Sequence, residues 1–385
     1  MSQSAAITGM GVVICGPKEI PDATGNALSA ISMAAQEAGL DLREIDGLLI
    51  NQNELIADDH LTLDLSRRGA FGTLKVLYEL ESKGTTMSVL LKQATDMVNA
   101  GEADNIVVVF ADAAISPNAP SGAAFASMGG DTGYRGLERA GGMLGAVAAY
   151  ALIAQHYFVE RNAGVDDLFA VAQAQRSWAV ENPLAWIREP LTREKYDEAP
   201  LVAAPLRRLD CARPVSGAAA FIVSKPNSSN SLNPVFVRGM AQRHTMRRRH
   251  APHSPWRPVG AAEVFTDALK QARTTVDAID NLQIYDAFTI VPLVMMEELG
   301  VVGPGEAGSF IAAGNTRHGG SLPINTGGGQ ISGFYLQGAT PLIEAVTQLR
   351  GQGGNRQIAD AGTSMVVSVG GRLESVNALV MGVQQ

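Results

Sequence analysis

Apolar residues fall along this chain in two alternating rhythms. Short runs rich in β-branched residues read as strands: AAITGMGVV at Ala5–Val13, GLLI at Gly47–Ile50, NIVVVFAD at Asn105–Asp112 and AAAFIVS at Ala218–Ser224. Between them, PDATGNALSAISMAAQEAGL and TTMSVLLKQATDMVNAGEAD carry helical spacing and run out at Gly39 and Gly101. Strands that alternate with helices predict an α/β class with a mainly parallel sheet, covered by helices on both faces.

The pattern then repeats. KPNSSNSLNP, Lys225–Pro234, is polar, turn-rich and aperiodic, and marks a junction between a first half at 1–230 and a second at 231–385. In the first half a helix leads into LREIDGLLIN (Leu42–Asn51). In the second, VFTDALKQARTT leads into VDAIDNLQIY (Val276–Tyr285). Ile45, Asp46, Leu48 and Ile50 match Ile279, Asp280, Leu282 and Ile284. Each half continues with a helix ending at glycine (Gly101, Gly351) and an apolar strand (Ile106–Phe110, Met365–Val369). A duplicated α/β fold about a pseudo-twofold axis follows. Residues 113–208 have no counterpart in the second half. They read as an insertion of loops and helices over one face, the kind of segment that shapes a binding site.

Composition narrows the function. The 385 residues are 46% hydrophobic and 18% charged, enough for a large core. A net charge of −8 argues against nucleic acid as a partner, since phosphate backbones call for excess Lys and Arg. Two cysteines, Cys15 and Cys211, are too few for a disulfide framework or a cysteine-rich zinc site, and fit a reducing cytoplasm. No 18-residue apolar run and no signal peptide are read, so no membrane partner is expected.

In a duplicated fold, equivalent strand ends and helix starts meet near the axis. Four places qualify: Gly84-Thr85-Thr86 at a helix start, Tyr285 ending a strand in IYDAFT, Tyr335 in the turn GGGQISGFYLQGAT, and Ser368-Val369-Gly370-Gly371 after a strand. Helix starts and glycine turns present N–H groups suited to a developing oxyanion.

These segments resemble the thiolase family, especially its sterol-carrier-protein branch. SLPINTGGGQISGFYLQGAT is similar to the pattern L-P-x-N-T-x-G-G-x-x-S-x-G-H-P-x-G-A-T. IYDAFT resembles the N-E-A-F or H-D-C-F motif, VSGAAAFIVS the S-D-G-A-A-A strand, and NAGEADNIVVVFAD the A-G-x-A-D-x-V-L segment. The resemblance spans nearly the whole chain and implies a thiolase fold, with α/β/α/β/α layers and mixed, mainly parallel sheets. The departures matter more. The nucleophilic cysteine of a thiolase falls on Gly84, the histidine of its G-H-P motif on Tyr335, its second cysteine on Ser368, and the Asn or His of the strand-end motif on Tyr285. Condensation through an acyl-cysteine therefore lacks its nucleophile. Tyrosines at both places resemble the thiolase-like aldolases, once called lipid-transfer proteins, that cut steroid side chains from acyl-CoA thioesters. The resemblance implies retro-aldol cleavage of a β-hydroxyacyl-CoA, no cofactor bound by this chain, a homodimeric core, and a small zinc-ribbon/OB-fold partner that would hold any zinc.

The chemistry is coherent on its own terms. Retro-aldol cleavage needs a base for the β-hydroxyl proton and stabilisation of the thioester enolate. A phenol takes or relays that proton if its pKa is pulled down from about 10. Tyr335 is assigned as base or relay, Tyr285 as its hydrogen-bonding companion, and Gly84 and Gly370 as N–H donors to the enolate oxygen. A glycine at 84 is also expected to make room for a branched β-carbon. Ser368 and His318 are further candidates for substrate or CoA contact, and the plainer readings stand beside all of these: core tyrosines, a helix-opening glycine, a strand-end serine, a structural histidine. The one basic run, RHTMRRRHAPHSPWRP (Arg243–Pro258, with Arg247 and Arg248), is a candidate for the CoA phosphates, a solvated loop or a contact for an acidic partner. Two rival functions remain open: an acyltransferase with another nucleophile, and an acyl-CoA- or lipid-binding scaffold without catalysis.

Overall fold

The computed structural model describes residues 4–16, 22–52, 61–69, 71–114, 132–226, 233–245, 257–258 and 260–384. Two sheets form its frame. The first half supplies β1 (Ala6–Ile14), β2 (Gly47–Asn51), β3 (Val76–Leu80) and β4 (Asn105–Ala113). A short hairpin, β5 (Leu201–Ala203) and β6 (Leu206–Arg207), precedes β7 (Ser216–Ser224). The second half supplies β8 (Phe236–His244), β9 (Asn281–Ile284), β10 (Thr363–Gly370) and β11 (Ser375–Gly382). The orders are β1-β7-β4-β2-β3 and β8-β11-β10-β9.

The two orders are the same order. β7 runs antiparallel to β1 and β4, as β11 does to β8 and β10. β2 pairs β4 in parallel, as β9 pairs β10. Even the place of β3 has a counterpart, a parallel bridge from Leu282 to Ile324. The repeated Ile-Asp has a physical basis. The Asp46 carboxylate accepts the backbone N–H groups of Asp104 and Asn105 at the start of β4. The Asp280 carboxylate accepts those of Gly362 and Thr363 at the start of β10, both at 2.8 Å. Each aspartate sets the register of its half's parallel pair.

Five layers result. The helices Thr86–Ala100 and Ala339–Leu349 lie between the sheets, and their apolar sides form one core with the inner faces of both. In β4, Ile106, Val108 and Phe110 face this layer, while Val107, Val109 and Ala111 face the outer helix Ala23–Ala38. A strand buried on both sides reads as a continuous apolar run, which is why NIVVVFAD stands out. Within Thr86–Ala100, the fully buried Met87, Leu90, Leu91 and Ala94 follow helical spacing. Gly39 and Gly101 end their helices in the left-handed conformation, as expected.

The insertion crosses to the other half. Its helices Gly145–Arg161 and Val165–Ala179 pack on the outer face of the four-stranded sheet with the helix Ile290–Leu299. This places first-half residues against the segments that carry both tyrosines. Of the junction Lys225–Pro234, residues 227–232 lie outside the described residues. The strands β3, β5, β6, β8 and β11 escape the sequence pattern, two of them for a visible reason. β3 exposes Leu77, Tyr78 and Glu79, so it lacks alternation, and β8 is broken by Arg238, Gly239 and Gln242.

Candidate active site

Four chain segments converge where the two halves meet. Tyr285 extends β9 by one residue, its N–H bonding the Val367 carbonyl at 2.8 Å. The Ile284 N–H donates to Asn325 Oδ1 at 2.7 Å, so the strand end and the Asn-Thr-Gly-Gly turn hold each other. Thr326 Oγ1 donates to Glu344 at 2.8 Å, and Asn182 Nδ2 donates to the Gly327 carbonyl at 2.8 Å. The chain then winds through a single π turn at Gly329–Gly333 and straightens at Phe334. Thr340 fixes both sides of Tyr335: its hydroxyl accepts the Leu336 N–H and donates to the Phe334 carbonyl, each at 3.0 Å.

The two phenols meet. Tyr285 Oη and Tyr335 Oη lie 2.9 Å apart, with ring centroids 6.2 Å apart and planes at 71°. Tyr285 is buried and Tyr335 half-buried. Burial, and then the neighbouring Tyr335, push the Tyr285 phenol well above its usual value. Tyr285 is therefore a neutral hydrogen-bonding partner and not a standing phenolate.

Gly84 sits directly against the pair. A Cβ there would lie 2.1 Å from the Val369 carbonyl oxygen and 2.6 and 2.8 Å from Cε2 and Cζ of Tyr285. This corrects one expectation. The space a side chain would need at position 84 is not left for a branched substrate, because the Tyr285 ring and the β10 backbone fill it. Gly370 lies beside the same segment, its missing Cβ 2.7 Å from the Ser82 carbonyl. A Cβ on Gly338 would lie 2.3 Å from the Gly84 carbonyl. Gly84, Gly370, Tyr285 and Tyr335 are thus brought together from four distant stretches.

The other candidates fare differently. Ser368 is fully buried and shares a 3.3 Å hydroxyl contact with Ser88 beneath the helix. His318 is exposed and lies beside Trp178, ring centroids 5.6 Å apart. Arg247 and Arg248 lie outside the described residues. The flanks of their run are engaged, Arg243 with Asp267 at 2.7 Å and Arg257 with Glu298 at 2.5 Å.

Neither cysteine stands at the nucleophile position. Burial, then Asp210, push the Cys211 thiol up to about 12, and its Sγ donates to the Arg207 carbonyl at 3.4 Å. Cys15 is buried at the end of β1 and accepts from Asn26 Nδ2 at 3.0 Å. A thiol held protonated is a poor nucleophile.

Sequence reasoning passed over two groups. Asp286, inside the IYDAFT motif, is fully buried, and its Oδ1 accepts the Gln330 N–H at 2.9 Å. Only its place beside Tyr285 could have drawn attention to it. Arg213 lies on the stretch between Ala212, whose N–H bonds the Ala287 carbonyl, and Pro214, which bridges Tyr335. Its guanidinium is 5.3 Å from the Trp186 ring centre. Partial burial, then the neighbouring Arg208, lower its pKa.

Comparisons with known proteins bear on the fold and on the kind of chemistry. Residues 241–383 match the family model "Thiolase C-terminal domain-like". The chain is 29% identical to the 17-hydroxy-3-oxo-4-pregnene-20-carboxyl-CoA lyase of Mycobacterium tuberculosis, over 99% of this chain and 100% of that one. It is 28% identical to a steroid side-chain-cleaving aldolase of Thermomonospora curvata, over 95% of each. Among solved structures, the Ltp2-ChsH2(DUF35) aldolase superposes with a TM-score of 0.86 at 26% identity, covering 98% of this chain and 97% of that one. By fold and by sequence, the chain is similar along nearly its whole length to steroid side-chain-cleaving aldolases of the thiolase superfamily.

Proposed function

We propose that this chain is an aldolase that cleaves a carbon–carbon bond in a β-hydroxyacyl-CoA, a carbon–carbon lyase of steroid-like side chains. The observation that carries the reading is the 2.9 Å contact between the Tyr285 and Tyr335 hydroxyls, packed against a glycine where a thiolase keeps its cysteine. The substrate hydroxyl meets Tyr335, the more exposed phenol. As the Cα–Cβ bond breaks, the β-carbon becomes a carbonyl and the electron pair moves into the thioester enolate. A neutral phenol gains a proton only as it releases its own, so the pair acts as a relay. The proton ends on the α-carbon of the leaving enolate, and both tyrosines return to their starting state. The N–H groups of Gly84 and Gly370 hold the enolate oxygen, each such donor contributing roughly 3 kcal/mol.

The CoA phosphates are assigned to Arg213 and to Arg208, which acts electrostatically on it, on the stretch that leads into the Pro214 bridge to Tyr335, with Trp186 as a stacking face. The chain binds no cofactor of its own. It forms a homodimer and joins a small partner of the DUF35 type, the type named in its structural relative, the Ltp2-ChsH2(DUF35) aldolase. β3 supports an added chain, since it is the edge of its sheet and exposes Leu77 and Tyr78. The protein works in the cytoplasm. Among the described residues, no helix is long and apolar enough to cross a membrane.

The test offers a tertiary β-hydroxyacyl-CoA on a steroid-like ring, with and without the partner, and reads products by mass spectrometry. A shortened acyl-CoA and a ketone are expected, with a loss of about 10²- to 10⁴-fold in Tyr335→Phe. Thiolysis of a β-ketoacyl-CoA by free CoA would overturn the reading in favour of an acyltransferase.

A further inference from the structure

The tyrosine pair depends on a distance, and something must set it. Tyr285 and Tyr335 are 50 residues apart and stand on different segments. Besides Asn325, which holds the Ile284 N–H, a second side chain joins those segments close to the pair. Asp286 follows Tyr285, is fully buried, and accepts the Gln330 N–H with Oδ1 at 2.9 Å and also the N–H of Ile331. Both donors belong to the π turn Gly329–Gly333, whose exit is the extended residue before Tyr335. The contact is tight. A Cβ on Gly329, which has φ +59°, would lie 2.3 Å from Asp286 Oδ2. The Gln175 side chain lies alongside the carboxyl as a further neutral donor. Burial pushes this carboxyl well above the usual carboxylate range, favouring the uncharged form.

We propose that Asp286 is the positioning residue of the tyrosine pair: its carboxyl clamps the Gly329–Gly333 turn to the end of β9 and so fixes the separation of the two hydroxyls. Asp286 does not touch the substrate. Its role is that of a hydrogen-bond acceptor, which an amide oxygen can take over and a methyl group cannot. The inference rests on the proposed aldolase chemistry.

The experiment compares Asp286→Asn, Asp286→Ala and Gly329→Ala with wild type and Tyr335→Phe, in the full chain with its partner. The readouts are kcat, KM and thermal unfolding. Asp286→Asn is expected to keep kcat within about fivefold. Asp286→Ala is expected to lose about 100-fold in kcat with KM within about threefold, the cost of a misplacement near 1 Å. Gly329→Ala presses the same contact from the turn and is expected to lose kcat in the same way. It decides the matter should Asp286→Ala fail to fold. Folded Asp286→Asn as inactive as Asp286→Ala would overturn the proposal, since the carboxyl proton or charge would then be essential. So would a folded Asp286→Ala or Gly329→Ala with wild-type kcat. Full activity in Tyr335→Phe would instead sink the tyrosine chemistry itself, whatever the Asp286 variants do.

Discussion

Gly84→Ala is the sharpest probe of this site, because one methyl group meets both a fixed and a movable neighbour. The added Cβ would lie 2.1 Å from the Val369 carbonyl oxygen, part of the β10 backbone, and 2.6 Å from Cε2 of Tyr285. Ordinary contact begins at 3.4 Å, so the ring must retreat by 3.4 − 2.6 = 0.8 Å even if the backbone yields its share. The 2.9 Å contact to Tyr335 does not survive such a shift. Misplacing a reacting group by about 1 Å lowers the rate about 100-fold, or about 2.7 kcal/mol in the barrier. Overpacking adds a stability loss of about 1–3 kcal/mol. Steady-state cleavage of a β-hydroxyacyl-CoA, paired with a thermal melt, reads both effects. Gly84→Cys should lose aldolase activity in the same way without gaining thiolysis, because the thiol would collide with the Tyr285 ring. A Gly84→Ala protein with wild-type kcat and wild-type Tm would refute the argument that Tyr285 fills this space.

Three further outcomes are expected. Replacing Cys15 and Cys211 together by serine should leave kcat within about threefold, since Cys211 is held protonated; a loss of 10²-fold, the low end of a catalytic group's contribution, would revive a thiol nucleophile. Arg213→Ala should raise KM for the CoA thioester roughly tenfold with little change in kcat, the effect of one screened charge-assisted contact; an unchanged KM would remove Arg213 from the CoA site. Asp112 is buried at the end of β4, where burial and then Glu81 push its carboxyl up to about 7 from an ordinary 3.8. Its folded-state pKa is raised, so its contribution is fully present below about pH 4 and lost as pH rises through about 7. Asp112→Asn should therefore raise Tm at pH 8 and not at pH 4. The gap sets a ceiling of about 4 kcal/mol, and an equal Tm change at both pH values would show that the carboxyl does not titrate as described.

What the sequence disclosed was local or repeated. Asp46 and Asp280 were visible because each performs the same capping task in the same short motif. Tyr285 and Tyr335 were visible because they interrupt patterns that elsewhere carry other residues. The steric lock at Gly84 was invisible because its parts are residues 84, 285, 338 and 369, and no spacing along the chain encodes their meeting. The same holds for Asp286, whose partners lie 44 and 45 residues further on in a turn with no distinctive side chain there. β3 escaped notice for a different reason. An edge strand with one buried residue at its start has no two-sided pattern to read.

The central pair of helices has a bearing on descent. Thr86–Ala100 and Ala339–Leu349 share one core with both sheets, so the two halves are joined through a common apolar layer. Once two ancestral copies were fused and their inner faces had adapted to one another, neither could be traded alone. A half imported from a distant relative would bring a mismatched inner face and one tyrosine-bearing rim without its clearance at Gly84. Gly84 and Tyr285 are coupled across the midline in this way, since a side chain at 84 and the ring at 285 compete for the same space.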